Sequence, residues 1–235
     1  MLGQQNRYPY QCAGGYDMHD HARLNIGEDV IETSRKLGLE NKQLLEEAGV
    51  KAFNVMGAIG SGKTSLIETA IIHLKDDYRI AAIAGDVIAE FDSSRFRKLG
   101  IPVIPTNTGK ECHLDAHLVK HAMEHLRLHD IDLLFIENVG NLICPSDFYI
   151  GEHKRVIVVS VSEGEDIVAK HPAIFKAADC AIINKVDIAQ FVNVDPDKMV
   201  NDALVNVPLV FKTSVRTNVG IENWIAFIRN EMRCC

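Results

Sequence analysis

Gly57-Ala58-Ile59-Gly60-Ser61-Gly62-Lys63-Thr64 fits the pattern G-x-x-x-x-G-K-[ST]. Its flanks match the same element. Ala52-Phe53-Asn54-Val55-Met56 reads as a buried strand, and the segment from Ser65 to Ile72 as an amphipathic helix. A glycine-rich turn between strand and helix points backbone N–H groups at phosphate oxygens, and the helix N-terminus adds partial positive charge. Ser65 continues the same cradle. Lys63 is placed to reach the β- and γ-phosphates, and the Thr64 hydroxyl to ligate Mg²⁺.

Working outward, apolar strands alternate with helical segments. Strands are expected at Arg79–Ala84, Ile101–Pro105, Leu133–Ile136, Val156–Val161, Ala181–Ile183 and Leu209–Phe211, with a helix over His113–Leu128. Such alternation implies an α/β fold of P-loop NTPase (G-domain) architecture. Its central sheet is mostly parallel, flanked by helices, with ligands at the C-terminal ends of the strands. The expected organisation is a flexible extension over 1–24, a helical arm over 25–49 interrupted near Gly38, and one nucleotide-binding domain over 50–235. Met18 offers an alternative start, with 1–17 as an extension. Whether the arm packs on the core or on a second subunit stays open.

Asn184-Lys185-Val186-Asp187 follows the apolar Ala181-Ile182-Ile183. This is a guanine-selecting arrangement. The Asp187 carboxylate can accept from N1–H and the exocyclic amine of guanine, a donor pair adenine does not present. Asn184 can meet the other edge of the base, and the Lys185 stem can cover its face. Thr213 and Ser214, after the last strand, are candidates for backbone contacts to the base. Between the two motifs lie candidate γ-phosphate sensors. Asp86 ends a strand and can hold Mg²⁺ through water, and Asp92 can orient the attacking water. Glu137 and Gly140, in Glu137-Asn138-Val139-Gly140, can meet the Mg²⁺ shell and the γ-phosphate.

Soft ligands stand beside this machinery. Cys112-His113 leads into the expected helix, and Cys144 follows the Glu137 strand. Thiolate and imidazole suit Zn²⁺ or Ni²⁺ far better than Mg²⁺. His113, His117, His121, His125 and His129 recur every fourth residue. His117 and His121 form the best i, i+4 pair for one ion, whereas His125 and His129 read as a solvated stripe. Cys12, His19 and His21 near the start are incidental donors, Cys180 a core thiol, and Cys234 and Cys235 frayed ends.

Composition narrows the field. A net charge of −7 over 235 residues argues against a general nucleic-acid or anionic-membrane surface. No apolar run reaches the roughly 20 residues of a spanning helix. Six cysteines without a disulfide-scaffold pattern fit a reducing, cytoplasmic setting.

Taken together, these segments resemble the archaeal-type hydrogenase nickel-incorporation GTPases, the HypB family of dimerising P-loop proteins. The resemblance runs from about Ala52 to the C-terminus. It rests on Met56–Thr64, Asn107-Thr108-Gly109-Lys110-Glu111-Cys112-His113, Ile136–Pro145 and Asn184–Asp187. It implies a homodimer using GTP, Mg²⁺ and Ni²⁺ or Zn²⁺, with Cys112, His113 and Cys144 as a metal site at the subunit interface. It further implies that Lys170 approaches the guanine of a neighbouring subunit. The implied partners are a nickel-delivery chaperone and the hydrogenase large-subunit precursor. The N-terminal C-x-x-C-G-C nickel motif and the histidine-rich tract of some bacterial relatives are absent.

Overall fold

The computed structural model describes residues 18–86, 90–109 and 112–233, with side chains left out for 18–31, 86, 90 and 91. Cys12, Lys110, Glu111, Cys234 and Cys235, and the side chains of His19, His21 and Asp86, lie outside the described residues.

Among the described residues, seven strands form one sheet in the order β3-β2-β4-β1-β5-β6-β7, every pair parallel. They are β1 (Lys51–Gly57), β2 (Ile80–Asp86), β3 (Val103–Asn107), β4 (Leu133–Gly140), β5 (Lys154–Ser160), β6 (Cys180–Asn184) and β7 (Val210–Thr213). Each expected strand is present, shifted by up to a few residues. Pro105 is tolerated in β3 because that strand is an edge, where one side of the backbone has no ladder to supply.

Alternate residues of β1 feed opposite faces of the sheet. Phe53 and Val55 join a core with α2 (Lys63–Leu74) and the C-terminal helix (Ile221–Arg233), built around Leu66, Ile67, Trp224 and Ile225. Ala52 faces the other layer with Ala81, Ile83, Leu134 and Val119.

Two helical expectations are corrected. The first concerns α1, which spans Met18–Glu47, so it begins before Asn25 and runs through Gly38 without interruption. Gly38 serves packing instead, since a Cβ there would collide with the Tyr149 carbonyl. The helix lies on its own core: Leu45 is buried, and Asn41 Nδ2 donates to the carbonyls of Ala116 and Ile150 at 2.7 and 3.0 Å. Gly49 ends it as expected. At φ +72° it lets Val50 N–H reach the Leu45 carbonyl and its own N–H reach Glu46, the paired bonds of a Schellman stop.

The second correction is to the His113–Leu128 helix. Here α4 covers only Ala116–Glu124, with a separate 3₁₀ turn at Leu128–Asp130. Asp115 sets the start, its carboxylate accepting from Leu118 N–H at 2.7 Å, so Cys112 and His113 lie in the preceding loop.

Candidate functional site

The strand ends around β1 form a two-part cleft. Its phosphate end is a cavity of about 520 Å³ lined by Gly60, Gly62, Lys63, Thr64, Ser65, Asp92, Glu137 and Gly140. Gly57, Gly60 and Gly62 have φ of +151°, +79° and +102°, backbone conformations that residues with a side chain rarely adopt. The chain then enters α2 at Lys63, two residues before the expected start. Lys63 Nζ folds back over the loop, donating to the carbonyls of Gly57 and Ala58 at 3.0 and 3.2 Å.

Thr64 Oγ1 donates to Glu137 Oε1 at 2.6 Å. Glu137 is buried, and its Oε2 has no hydrogen-bond partner. Burial pushes its carboxyl up to about 7, against the pull of the Thr64 hydroxyl and the Lys63 charge. A buried carboxylate oxygen beside a hydroxyl is a fit for a hard cation, which takes oxygen ligands. Asp92 lines the same cavity from α3 (Glu90–Arg97), 3.8 Å from Arg95. Asp86 closes β2 opposite Asn107, its backbone at the same end of the sheet. Gly140 ends β4 where the side chain of Ile59 packs against it, leaving no room for a Cβ.

Arg95 escapes sequence reasoning. It donates to both Glu68 oxygens and to Ser65 Oγ at 3.2 Å, tying α3 to α2 along the cavity wall. The only signal was its position one turn after Asp92.

The base end is a cavity of about 380 Å³ that shares Gly62, Ser65 and Lys185 with the phosphate end. Asp187 is held there by Ser214 Oγ, which donates to it at 2.7 Å, and by Arg216 at 3.7 Å. Lys185 adopts φ +60°, a left-handed conformation uncommon outside glycine, and its Nζ donates to Gly60 O at 2.5 Å. Asn184 is buried and engaged at both ends of its amide. Its Nδ2 donates to Ser61 O at 2.8 Å, and its Oδ1 accepts from Thr213 Oγ1 at 2.9 Å. So Asn184 ties the two motifs together, a task that the expectation of a base contact did not include. Lys170 is exposed at the end of a short helix, 3.6 Å from Asp166, and does not line its own chain's cleft.

The soft donors converge in part. Cys112 Sγ lies 3.8 Å from His113 Nδ1, and a hydrogen bond with the Cys144 side chain raises the Cys112 thiol above its ordinary range. The His113 ring stacks on Phe148 with centroids 3.9 Å apart. Among the described residues, however, no group of three or more His, Cys, Asp or Glu side chains is arranged to hold a metal ion. His117 and His121 stand one turn apart on α4, as the i, i+4 spacing requires. Both are exposed on α4, where His121 meets the His125 ring at 5.0 Å. Cys180 is fully buried in the core.

Phosphate loop, guanine-type motif and all-parallel sheet define a P-loop nucleotide-binding domain. The pattern of the CobW/HypB/UreG nucleotide-binding domain matches residues 51–206. A relative in Methanocaldococcus jannaschii, described as a probable hydrogenase maturation factor HypB, is 53% identical over 92% of this chain and 99% of its own length. The structure of Archaeoglobus fulgidus HypB superimposes with a TM-score of 0.81 at 46% identity, covering 86% of this chain and 99% of that one. Helicobacter pylori HypB, solved in complex with nickel, gives 0.80 at 31% identity over 86% and 95%. This chain belongs to the CobW/HypB/UreG family, in its HypB branch of hydrogenase maturation factors. Among the described residues no helix is long and apolar enough to cross a membrane.

Proposed function

We propose that this chain is a GTP-hydrolysing metallochaperone that binds nickel or zinc and assists nickel insertion into the [NiFe]-hydrogenase precursor, dimerising with GTP. The observation that carries this reading is positional. Cys144 follows β4, whose end lines the phosphate cavity, and Cys112-His113 follows β3 at the same end of the sheet, with the adjacent Leu114 N–H held by Asn138 of β4. The nickel complex of the Helicobacter pylori relative supports the choice of cargo.

In this reading Asp187 pairs with the guanine donors, while the glycine loop and Lys63 hold the phosphates. Thr64 and Glu137 would hold Mg²⁺, with Asp86 reaching it through water; the ion would neutralise charge developing on the phosphoryl oxygens. Asp92 orients the attacking water, and Gly140 N–H senses the γ-phosphate. Lys170 reaches the neighbouring subunit's nucleotide. The two thiols and one imidazole of a single chain leave a tetrahedral ion one ligand short, which a second copy can supply. Four sulfurs from two copies would suit square-planar Ni²⁺. A nickel-delivery chaperone and the hydrogenase large-subunit precursor are the proposed partners, and the cytoplasm the proposed setting.

The test is Ni²⁺ affinity, with oligomeric state, measured with and without a non-hydrolysable GTP analogue on the parent and Cys144→Ala proteins. Linkage requires the analogue to raise Ni²⁺ affinity in the parent, together with dimer formation, and Cys144→Ala to remove that gain. Equal affinity in all four samples would overturn the metal reading. Faster Ni²⁺ release under hydrolysable GTP separates delivery from storage.

A further inference from the structure

A buried chain of polar side chains crosses the sheet beneath the two donor loops. At one end Asn138 Oδ1, on β4, accepts from the N–H of Leu114, the residue next to His113, at 3.0 Å. Asn138 Nδ2 donates to Asn54 Oδ1 on β1 at 3.2 Å, and Asn54 Nδ2 reaches Glu152 Oε1 at 3.5 Å. Glu152 Oε1 also accepts from Arg155 Nε at 2.5 Å, and its Oε2 from Ile150 N–H at 3.0 Å. At the far end the guanidinium donates to the carbonyls of Ser146 and Phe148 at 2.9 and 3.0 Å, in the loop that follows Cys144.

Every side chain along this path except that of Arg155 is at most 4% exposed. Buried polar groups are costly unless each finds its partner, so a satisfied chain of this kind holds one geometry strongly. The surface side of the same two loops is joined by the His113 ring stacked on Phe148. The donor loops are thus clasped from both sides. Among the described residues, long-range backbone pairing ties the second loop at its ends, Asn141 bridged to Gly57 and His153 N–H donating to the Ala52 carbonyl, so between those points its placement against the first loop rests on side chains, these and Asn41.

We propose that Arg155, acting with Glu152, Asn54 and Asn138, is a positioning residue for the metal-binding loops: its guanidinium fork fixes the Cys144 loop against the Cys112-His113 loop. The inference rests on the reading that those three donors bind the cargo metal. Arginine is required by geometry. One planar group satisfies a carboxylate and two carbonyls at once, which a lysine ammonium on its flexible stem does not reproduce.

The test uses the full chain loaded with a non-hydrolysable GTP analogue and titrated with Ni²⁺ alone. Arg155→Lys keeps a positive charge beside Glu152 but loses the fork. It is expected to lower Ni²⁺ affinity at least tenfold and to change the thiolate-to-nickel absorption bands, with GTP affinity unchanged within about twofold. Asn54→Ser, cutting the chain midway, is expected to do the same, and it decides the matter if Arg155→Lys does not fold. Parent-like affinity and bands in the folded variants, where Cys144→Ala loses both, would overturn the positioning role. An equal fall in GTP affinity would overturn it too, marking a general structural role. If Cys144→Ala itself binds Ni²⁺ like the parent, the metal reading fails first, and this inference with it.

Discussion

Thr64 Oγ1 and Glu137 Oε1 stand 2.6 Å apart, joining the first turn of α2 to the end of β4. That bond brings the residue after the P-loop lysine onto the strand that leads directly to the Cys144 loop. Glu137 and Asn138 are consecutive on a strand, so their side chains face opposite sides of the sheet. Both contribute to the lining of the phosphate cavity, and Asn138 also holds Leu114 beside His113. The P-loop threonine and the Cys112-His113 loop are therefore held by adjacent residues.

The Glu137 carboxyl gives a pH prediction for the nucleotide-free protein. Its folded value of about 7 lies above the ordinary 4.5. Between these values the folded state keeps a proton that the unfolded state has released, so stability falls as pH rises through the window. The full effect is on the order of 3 kcal/mol. Glu137→Gln preserves the shape and cannot ionise, so it should flatten this slope and unfold at higher denaturant than the parent at pH 8. Urea unfolding from pH 5 to 8 measures both. The same slope in the variant would assign it to another group.

Asp187 should decide the choice of purine. Asp187→Asn leaves guanine donors poorly paired and is expected to cost about 1–3 kcal/mol in GTP affinity with little change for ATP. Ser214→Ala, which removes only the hydroxyl that steadies the carboxylate, should cost less, about 0.5–1.5 kcal/mol. Calorimetry with both nucleotides reads the difference. Equal GTP and ATP affinity in the parent would end the guanine assignment.

The loop glycines should differ in tolerance. Gly60 has φ +79° and open space where a Cβ would stand. Gly60→Ala should cost only the left-handed backbone penalty, about 1–2 kcal/mol. At Gly62 a Cβ would collide with Asn184 Nδ2, the group that donates to Ser61 O. Gly62→Ala must therefore displace the tie between the two nucleotide motifs and should lose far more GTP affinity than Gly60→Ala. Equal losses would show that Asn184 is not holding the loop.

Lys63 and Asp92 should separate binding from chemistry. Lys63→Ala removes the cation expected at the β- and γ-phosphates, so both GTP affinity and turnover should fall steeply. Asp92→Asn should slow single-turnover hydrolysis by about 10²-fold or more while affinity holds. An unchanged rate in Asp92→Asn would remove that residue from the mechanism and turn attention to Arg95, its neighbour at 3.8 Å.

Local chemistry made much of this protein legible before any coordinates. The P-loop and Asn184–Asp187 are contiguous, and each needs particular residues at fixed offsets because hydrogen-bond geometry to phosphate or base leaves few alternatives. The parallel α/β fold followed from apolar runs separated by helical periods. The start of α1 at Met18 and the passage through Gly38 were not legible, because a helix glycine excused by contact with Tyr149 looks locally like a break. The extent of the histidine ladder was not legible for a related reason. Spacing of four implies a shared face only within a helix, and α4 runs from Ala116 to Glu124, so of the five histidines only His117 and His121 share one.

What only tertiary structure decided are the long-range polar contacts. Asn184 with Ser61, Thr64 with Glu137, and Arg155 with the Cys144 loop join residues from different strands and loops, brought together by the order β4-β1-β5-β6. A sequence records which groups can donate and accept, and its apolar pattern records which segments must be buried. Which donor meets which acceptor depends on strand order, because burial forces each polar group to accept the partner that the neighbouring strand supplies.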